Sequence, residues 1–538
     1  MSDHAMTAMP SPDLAIGAFT ANGPWVVDPD AMAWRAGIDP LRARTQDRVP
    51  GLIRHRRYPP ARGALVSWTL VRAVLPLALR YRKRIGTPQA QAELAARVRR
   101  AFEQLGPTFI KLGQVIAAAE GMLPIEFVQE FKRCRDRVAP ETFEHVRAVI
   151  ESELGRPLES IFAEFDPTPI AAASIAQVHV ARLHGGDEVV VKVQRPDVKR
   201  IVTSDIASMA WAAPIIDKRL ARARLANLPA YVELFAETIV EELDFRLEAE
   251  NMLDIAKVLA VTGHRAVIVP RPHPEFVTER VLVMERMHGF NVEDDAGIVD
   301  AGVDPSPVFR ALMVSFIEGA MIHGVFHGDL HGGNMIVTPD GRAGIFDFGI
   351  TGRFTEQRRK ALLGIMMSSV TQDVRAQLGF FRDLGGFPAD SDLDQIAVDL
   401  DIDQLTPTAQ AEMTPDQLAV QMQGLMTQLI AHGGRMPKEL FLYLKGLVYL
   451  NGAIASLAPD VDIFAEMSHV LGAFTSMHGD RLAEEIGLDL KANPFDPDSV
   501  GNLMRLQLGT DSESLSYREL QEIQTKRMQE LREARKKL

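Results

Sequence analysis

Phe326-His327-Gly328-Asp329-Leu330-His331-Gly332-Gly333-Asn334 and, beyond it, Asp347-Phe348-Gly349 are the stretch on which the fold turns. Between them NMIVTPDGRAGIF places two apolar runs about a Pro-Asp-Gly turn, which predicts a β-hairpin. Phosphoryl transfer needs a carboxylate at the nucleophile, and an oxygen ligand and a second carboxylate to hold Mg2+ on a triphosphate. Asp329, Asn334 and Asp347 fill those three roles in that order. A lone Asp-Phe-Gly is a common tripeptide, but the joint spacing across a hairpin is specific.

Upstream, such a site requires a lysine on a strand, a glutamate on a helix and a loop over the phosphates. Lys192 lies in Val189-Val190-Val191-Lys192-Val193, where a strand would hold its ammonium toward the α- and β-phosphates. A helix read as Ala230 to Lys257 carries EELDFRLEAEN, and Glu248 is the expected carboxylate partner of Lys192. Asp244 and Glu248 are four apart and share a face; Glu242 and Glu248 do not. The phosphate loop is alanine-rich rather than glycine-rich: Ala171, Ala172, Ala173 and Ser174 stand where the nucleotide would be covered. Alanine cannot take φ > 0 cheaply, so its backbone must approach the phosphates differently. The later apolar run RVLVMERM supplies Glu285 and Met287 as further nucleotide-binding candidates. After Gly349 only ITGRF precedes the helical TEQRRKALLGIMMSSV, so a segment that docks protein substrates has no room. The expectation is an α+β, bilobal, protein-kinase-like fold acting on a small molecule or on ATP itself.

The 538 residues are ordinary for a soluble globular protein, with 46% hydrophobic and 24% charged. A net charge of −12 (59 basic against 71 acidic) argues against a general nucleic-acid binder. The single cysteine, Cys134, excludes an internal disulfide and multi-cysteine metal sites, and suits a reducing compartment. The amino-terminal MSDHAMTAMPSPDL has no apolar core of a signal peptide. From Arg42 to Arg84, arginines and Lys83 outnumber the single acid Asp47, around an apolar stretch, Ala64 to Leu79, read as too short to span a bilayer. That stretch is either a core helix or a helix lying on anionic lipid with Trp68 inserted. Lys438 to Pro459 is apolar but broken by Glu439, Lys445 and Asn451, and reads as a core helix. Asp390, Asp392 and Asp394 have calcium-loop spacing without its glycine and read as a solvated acidic loop. No P-loop or Rossmann fingerprint and no H-E-x-x-H is present.

PIAAASIAQVH, EELDFRLEAEN, HGDLHGGN, DFG and, upstream, Phe109-Ile110-Lys111-Leu112-Gly113-Gln114 together resemble the UbiB family of atypical kinases, or AarF-domain-containing kinases. The resemblance is close over Ala101 to Phe354 and loose in the flanks. It implies a K-x-G-Q element, Lys111 and Gln114, on helices folded over the active site, and an E-x-D element, Glu242 and Asp244, with Glu242 the partner of Lys111. It implies ATP or ADP with Mg2+, a slow ATPase stimulated by membranes, and support of isoprenoid quinone biosynthesis. The divisions expected are 1–85 (tail and basic amphipathic segment), 86–159 (helical K-x-G-Q extension), 160–290 (N-lobe with the Ala-rich loop), 291–480 (C-lobe) and 481–538 (charged tail), with extra C-terminal helices. Ubiquinone-pathway bacterial members typically end in paired transmembrane helices, whereas the ending here is LREARKKL, so peripheral attachment to the inner face of a membrane from the cytoplasm is expected. The partners expected are an anionic lipid surface and quinone- or lipid-biosynthesis enzymes. The alternative to an enzyme is a nucleotide-gated scaffold organising such enzymes.

Overall fold

The computed structural model describes residues 28–54, 60–81, 87–118, 125–134, 140–219, 228–263, 266–292, 294–370, 373–401 and 431–457, with isolated residues elsewhere. Most of the charged tail, 481–538, lies outside the described residues. The chain is a mixture of helices and small sheets in two compact units: Met1–Asp254 with Pro270–Met287 and Asp347–Ile350, and the remainder.

The first unit is built on an antiparallel sheet of order β1-β3-β4-β7-β6, with β2 on β3. Its strands are β1 (Phe162–Phe165), β2 (Ala171–Ala172), β3 (Ala176–Leu183), β4 (Glu188–Gln194), β6 (Pro272–Val277) and β7 (Val281–Glu285). Branched residues at every second position of β4 give it strand propensity and one apolar face. Val189, Val191 and Val193 pack with Val281 and Val283 and with Val149 and Ile150 of the helix Phe143–Leu154. The two-residue period of the strand puts Lys192 on the opposite face, opposite Leu282 in register. Ahead of the sheet come α1 (Ile38–Ile53), α2 (Pro60–Tyr81), α3 (Pro88–Leu105), α4 (Pro107–Ala118) and α5 (Ile125–Phe131); the last three pack through Phe102, Phe109 and Phe131, the Phe102 ring lying 5.3 Å from Phe109 and 5.2 Å from Phe131. A Cβ on Gly113 would lie 2.9 Å from the Phe131 ring, so glycine admits that close approach.

The second unit holds a sheet of order β5-β11-β10-β8 and the pair β12-β9. Its strands β5 (Val267–Ile268), β8 (Phe290–Asn291), β9 (Val325–His327), β10 (Met335–Val337), β11 (Ala343–Ile345) and β12 (Thr351–Arg353) are short. The expected hairpin is β10-β11, with Met335 opposite Ile345. ITGRF leads straight through β12 into the helix Glu356–Val370.

The structure corrects four local readings. The helix expected over Ala230 to Lys257 is two, Leu228–Glu241 and Phe245–Thr262. Glu242, Leu243 and Asp244 break it because the Phe245 N–H turns to Glu279 O and Leu243 O accepts from Gln194 Nε2. A 22-residue helix, Val198–Arg219, falls where β-rich runs were expected. Asp392 is the N-cap of a helix, Leu393–Asp399, accepting from the Asp394 and Gln395 N–H groups, rather than part of a loop. Finally, α2 extends past the apolar stretch: Arg62–Tyr81 is 20 residues and, by length and composition alone, long and apolar enough to cross a membrane. One face is packed, with Gly63, Val66 and Leu77 buried and Arg62 on the fully buried Asp205, while Leu65, Trp68, Val71, Leu75 and Leu79 are exposed. The core-helix reading therefore holds for one face only. Arg42 likewise turns inward, to Asn251 and Asp254.

The amino-terminal segment is stapled to β6. Trp25 and Trp34 donate their indole N–H groups to Pro272 O and His273 O. His273 stacks on Phe276 at 4.2 Å and lies 4.7 Å from the Trp25 ring. Its Nδ1 accepts from the Glu275 and Phe276 N–H groups. Burial pushes this imidazole down to about 4. The unfolded chain would take up the proton below the ordinary value while the folded one would not, so stability should fall as pH drops from about 6.5 toward 4. We expect the melting temperature to decline between about pH 7.5 and pH 5. A His273→Asn protein should be less stable at the upper pH and decline less steeply; parallel declines would assign the pH dependence to other groups.

Candidate active site

In the first unit, β4 carries Lys192 and the first turn of Phe245–Thr262 carries Glu248. Lys192 Nζ donates to Glu248 Oε1 at 2.6 Å and to Asp347 Oδ1 at 2.9 Å, so three charges from three distant stretches meet. The ammonium also lies 5.5 Å from the centre of the Phe245 ring. Lys192 and Glu248 are almost wholly buried, whereas Asp347 is 41% exposed and is the carboxylate a ligand can reach. Burial outweighs the pull of Lys192 and pushes the Glu248 carboxyl up to about 7. Burial acts against the Lys192 ammonium as well, but the Asp347 and Glu248 carboxylates together hold it above the ordinary lysine range. Asp347 sits at φ 65, a left-handed backbone that Asp tolerates better than most side chains. Asn251 Nδ2 donates to Phe348 O and fixes the same turn against the helix.

The alanine loop closes as a hairpin, with Ala171 opposite Val178, Ala172 opposite Gln177, and the Ala173 N–H on Ala176 O. None of its described residues has a positive φ. Arg195, itself paired with Glu141, donates Nε to Ala173 O and braces the loop from below, while Ser174 is buried. Lys111 Nζ stands 3.0 Å from Glu242 Oε1, the pairing implied for the K-x-G-Q and E-x-D elements. Gln114, one helical turn on, is half-buried in the same helix. Asp244 accepts from the Arg246 N–H and guanidinium. Glu285 is buried at the end of β7, accepting from the Arg271 N–H, and Met287 follows half-buried; neither joins the Lys192 cluster.

In the second unit, His327 Nδ1 accepts from the Asp329 N–H, which leaves Nε2 to donate to Phe346 O. Asn334 Nδ2 donates to Asp329 O at 3.0 Å and its N–H to His331 O, so the loop is closed on itself. Asp329 is almost buried and accepts a close ion pair from Lys445. Sequence reasoning missed Phe245, Asn251, Arg195 and Lys445; only Lys445 leaves a trace, as a lysine inside an apolar helix.

Mg2+ demands hard oxygen ligands and keeps few protein ones, being held largely through substrate phosphates. The Asp347 carboxylate and the Asn334 amide oxygen are such donors, and among the described residues no group of three His, Cys, Asp or Glu makes a dedicated metal cage. Each of the two, the carboxylate in the first unit and the amide in the second, suits an ion carried on a nucleotide.

Removing Lys192 strands two carboxylates, whereas removing Glu248 leaves the lysine one partner. We expect Lys192→Met to destabilise by about 3 kcal/mol and Glu248→Gln by less, measured by urea unfolding. The loss in Lys192→Met should be smaller near pH 6 than near pH 8, because Glu248 takes up a proton at about pH 7 in the intact chain and at higher pH once the ammonium is gone. The reverse order would mean that the buried ammonium, not the carboxylates, is the burden.

A family model described as the ABC1 atypical kinase-like domain matches residues 133–378. The chain is 34% identical over 423 residues to an uncharacterized protein of Mycobacterium tuberculosis, covering 77% of this chain and 83% of that one. It is 33% identical over 393 residues to an uncharacterized chloroplastic aarF domain-containing protein kinase of Arabidopsis thaliana (69% and 73% covered). It is 30% identical over 374 residues to a probable protein kinase UbiB of Aeromonas hydrophila (69% and 68%). The chain belongs to the UbiB/ABC1 family of atypical kinases.

Proposed function

We propose that this chain binds ATP or ADP with Mg2+ in a bilobal kinase-like fold and acts as an ATPase or small-molecule phosphotransferase, in support of isoprenoid quinone or other lipid metabolism at a membrane. The observation that carries the reading is Lys192 held between the buried Glu248 and the exposed Asp347. An ammonium so fixed suits the α- and β-phosphates. In this reading Asp347 and Asn334 hold Mg2+, which would neutralise phosphate charge, and Asp329 accepts the proton of the attacking hydroxyl or water. The alanine hairpin, Glu285 and Met287 line the nucleotide, and Lys111, Gln114, Glu242 and Asp244 regulate access to it. The direct run from Gly349 through β12 into the next helix favours a small acceptor or water over a protein.

The membrane part rests on α2. Its exposed Leu65, Trp68, Val71, Leu75 and Leu79 recur every three or four residues, with Arg72 and Arg80 exposed beside them. Basic groups flanking an apolar stripe match an anionic lipid surface, and the setting that follows is cytoplasmic and peripheral.

A ligand bound only by the folded state stabilises it by about 2.7 kcal/mol at 100 times Kd. ATP and ADP should therefore raise the melting temperature with Mg2+ and do so less with chelator; no rise with either nucleotide would remove the reading. Asp347→Asn should abolish Mg2+-dependent hydrolysis, and unchanged hydrolysis in that variant would overturn the enzyme assignment. Nucleotide binding without any turnover in the unaltered protein would favour the scaffold. In liposome flotation, Trp68→Ser with Leu75→Ser should lower recovery on anionic vesicles; recovery equal to that of the unaltered chain would detach α2 from the lipid.

A further inference from the structure

The catalytic segment Phe326–Asn334 contains no lysine or arginine. Each of its two histidines accepts a backbone N–H at Nδ1, His327 from Asp329 and His331 from Gly333. Negative charge develops on a phosphoryl group during transfer, and a site that stabilises it works by presenting fixed positive groups. The loop itself brings none.

The C-terminal helix Lys438–Leu457 brings one. It is seated by Tyr443, whose ring stacks on Phe316 at 5.5 Å and meets Phe326 edge-on at 5.7 Å. A Cβ on Gly446 would lie 2.4 Å from Phe316 Cζ, so this turn of the helix can lie flush on the ring only because residue 446 is glycine. Phe326 belongs to β9, the strand that leads into the catalytic segment. The helix is thus registered against the same strand that delivers Asp329. Lys445, between Tyr443 and Gly446, reaches the Asp329 carboxylate, with its own side chain 24% exposed and that of Asp329 10%.

We propose that Lys445 supplies the cation of the phosphoryl-transfer step, first to Asp329 and then to the transferring group; this rests on the reading of the chain as a phosphoryl-transfer enzyme. In the step, the bond between the γ-phosphorus and the β–γ bridging oxygen breaks and its electron pair leaves on ADP. A bond from the acceptor hydroxyl or water oxygen to phosphorus forms, and the acceptor proton passes to Asp329. Protonation removes the charge that held Lys445, so the ammonium turns to the phosphoryl oxygens as their charge grows. A residue from outside the catalytic loop thereby does what the loop cannot.

The test compares the full-length protein with Lys445→Met, Lys445→Arg and Asp329→Asn. Thermal shift is read with ADP and Mg2+, alone and with aluminium fluoride as a mimic of the phosphoryl in flight; ATP turnover is read in parallel. Lys445→Met should keep the ADP–Mg2+ shift, lose the increment from aluminium fluoride, and lower kcat about 100-fold, with KM for ATP nearly unchanged. Lys445→Arg should keep most of both. An unchanged increment and unchanged turnover in Lys445→Met would make the contact a structural ion pair and overturn the proposal. If Lys445→Met does not fold, Lys445→Gln is read in the same way. No ADP–Mg2+ shift in the unaltered chain, or turnover that survives in Asp329→Asn, would bring down the phosphoryl-transfer reading itself and this assignment with it.

Discussion

A buried ammonium cannot stand alone, and Lys192 sets the terms for everything around it. A desolvated charge of this kind is tolerated only with its partners in place. One partner comes from the helix Phe245–Thr262 and the other from the Asp-Phe-Gly turn, so strand, helix and turn are tied together by one electrostatic requirement. The break in the preceding helix at Glu242 to Asp244, made by the Glu279 carbonyl and the Gln194 amide, serves that requirement. Were Leu228–Thr262 one continuous helix, Glu248 would be carried on a rod whose phase was set from Leu228 onward. The interruption lets the second helix start afresh at Phe245, with the aromatic ring under the ammonium and Glu248 against it.

The alanine hairpin is the counterpart of that rigidity. A glycine-rich loop reaches phosphates by backbone conformations that side chains forbid. Here the loop keeps ordinary backbone angles, hydrogen-bonds across itself and is propped by Arg195. It has little freedom left to adjust to what lies beneath it.

Much of this could be read from the sequence, and the reason is local. Alternating valines mark β4 and put Lys192 on the face away from them; the Pro-Asp-Gly turn marks its hairpin; Glu248, Asp329, Asn334 and Asp347 lie in short stretches whose residue types match the chemistry expected of them, whereas Lys111 and Glu242 were singled out by the family resemblance alone. What was not legible depends on distance in the chain or on backbone competition. The helix break is decided by a carbonyl at Glu279 and an amide at Gln194, which no window around Glu242 contains. The helix Val198–Arg219 opens at Pro196-Asp197, which reads equally as a turn between β-rich runs, so it vanished among β-branched neighbours. The contact of Lys445 with Asp329 spans more than a hundred residues, and a lysine in the middle of an apolar helix gives no hint of where it points. The long face of α2 was hidden for another reason: hydropathy says how apolar a helix is, not which side finds a neighbour.

The left-handed backbone at Asp347 bears on the history of such chains. Among side chains with a Cβ, Asp and Asn accept that conformation most readily. The replacement that would disturb the turn least is therefore asparagine, which keeps the shape and deletes the charge. In evolutionary terms, a folded chain without the proposed chemistry lies a single substitution away, and what the fold loses in that step is one of the two carboxylates on Lys192 while the shape of the turn is kept.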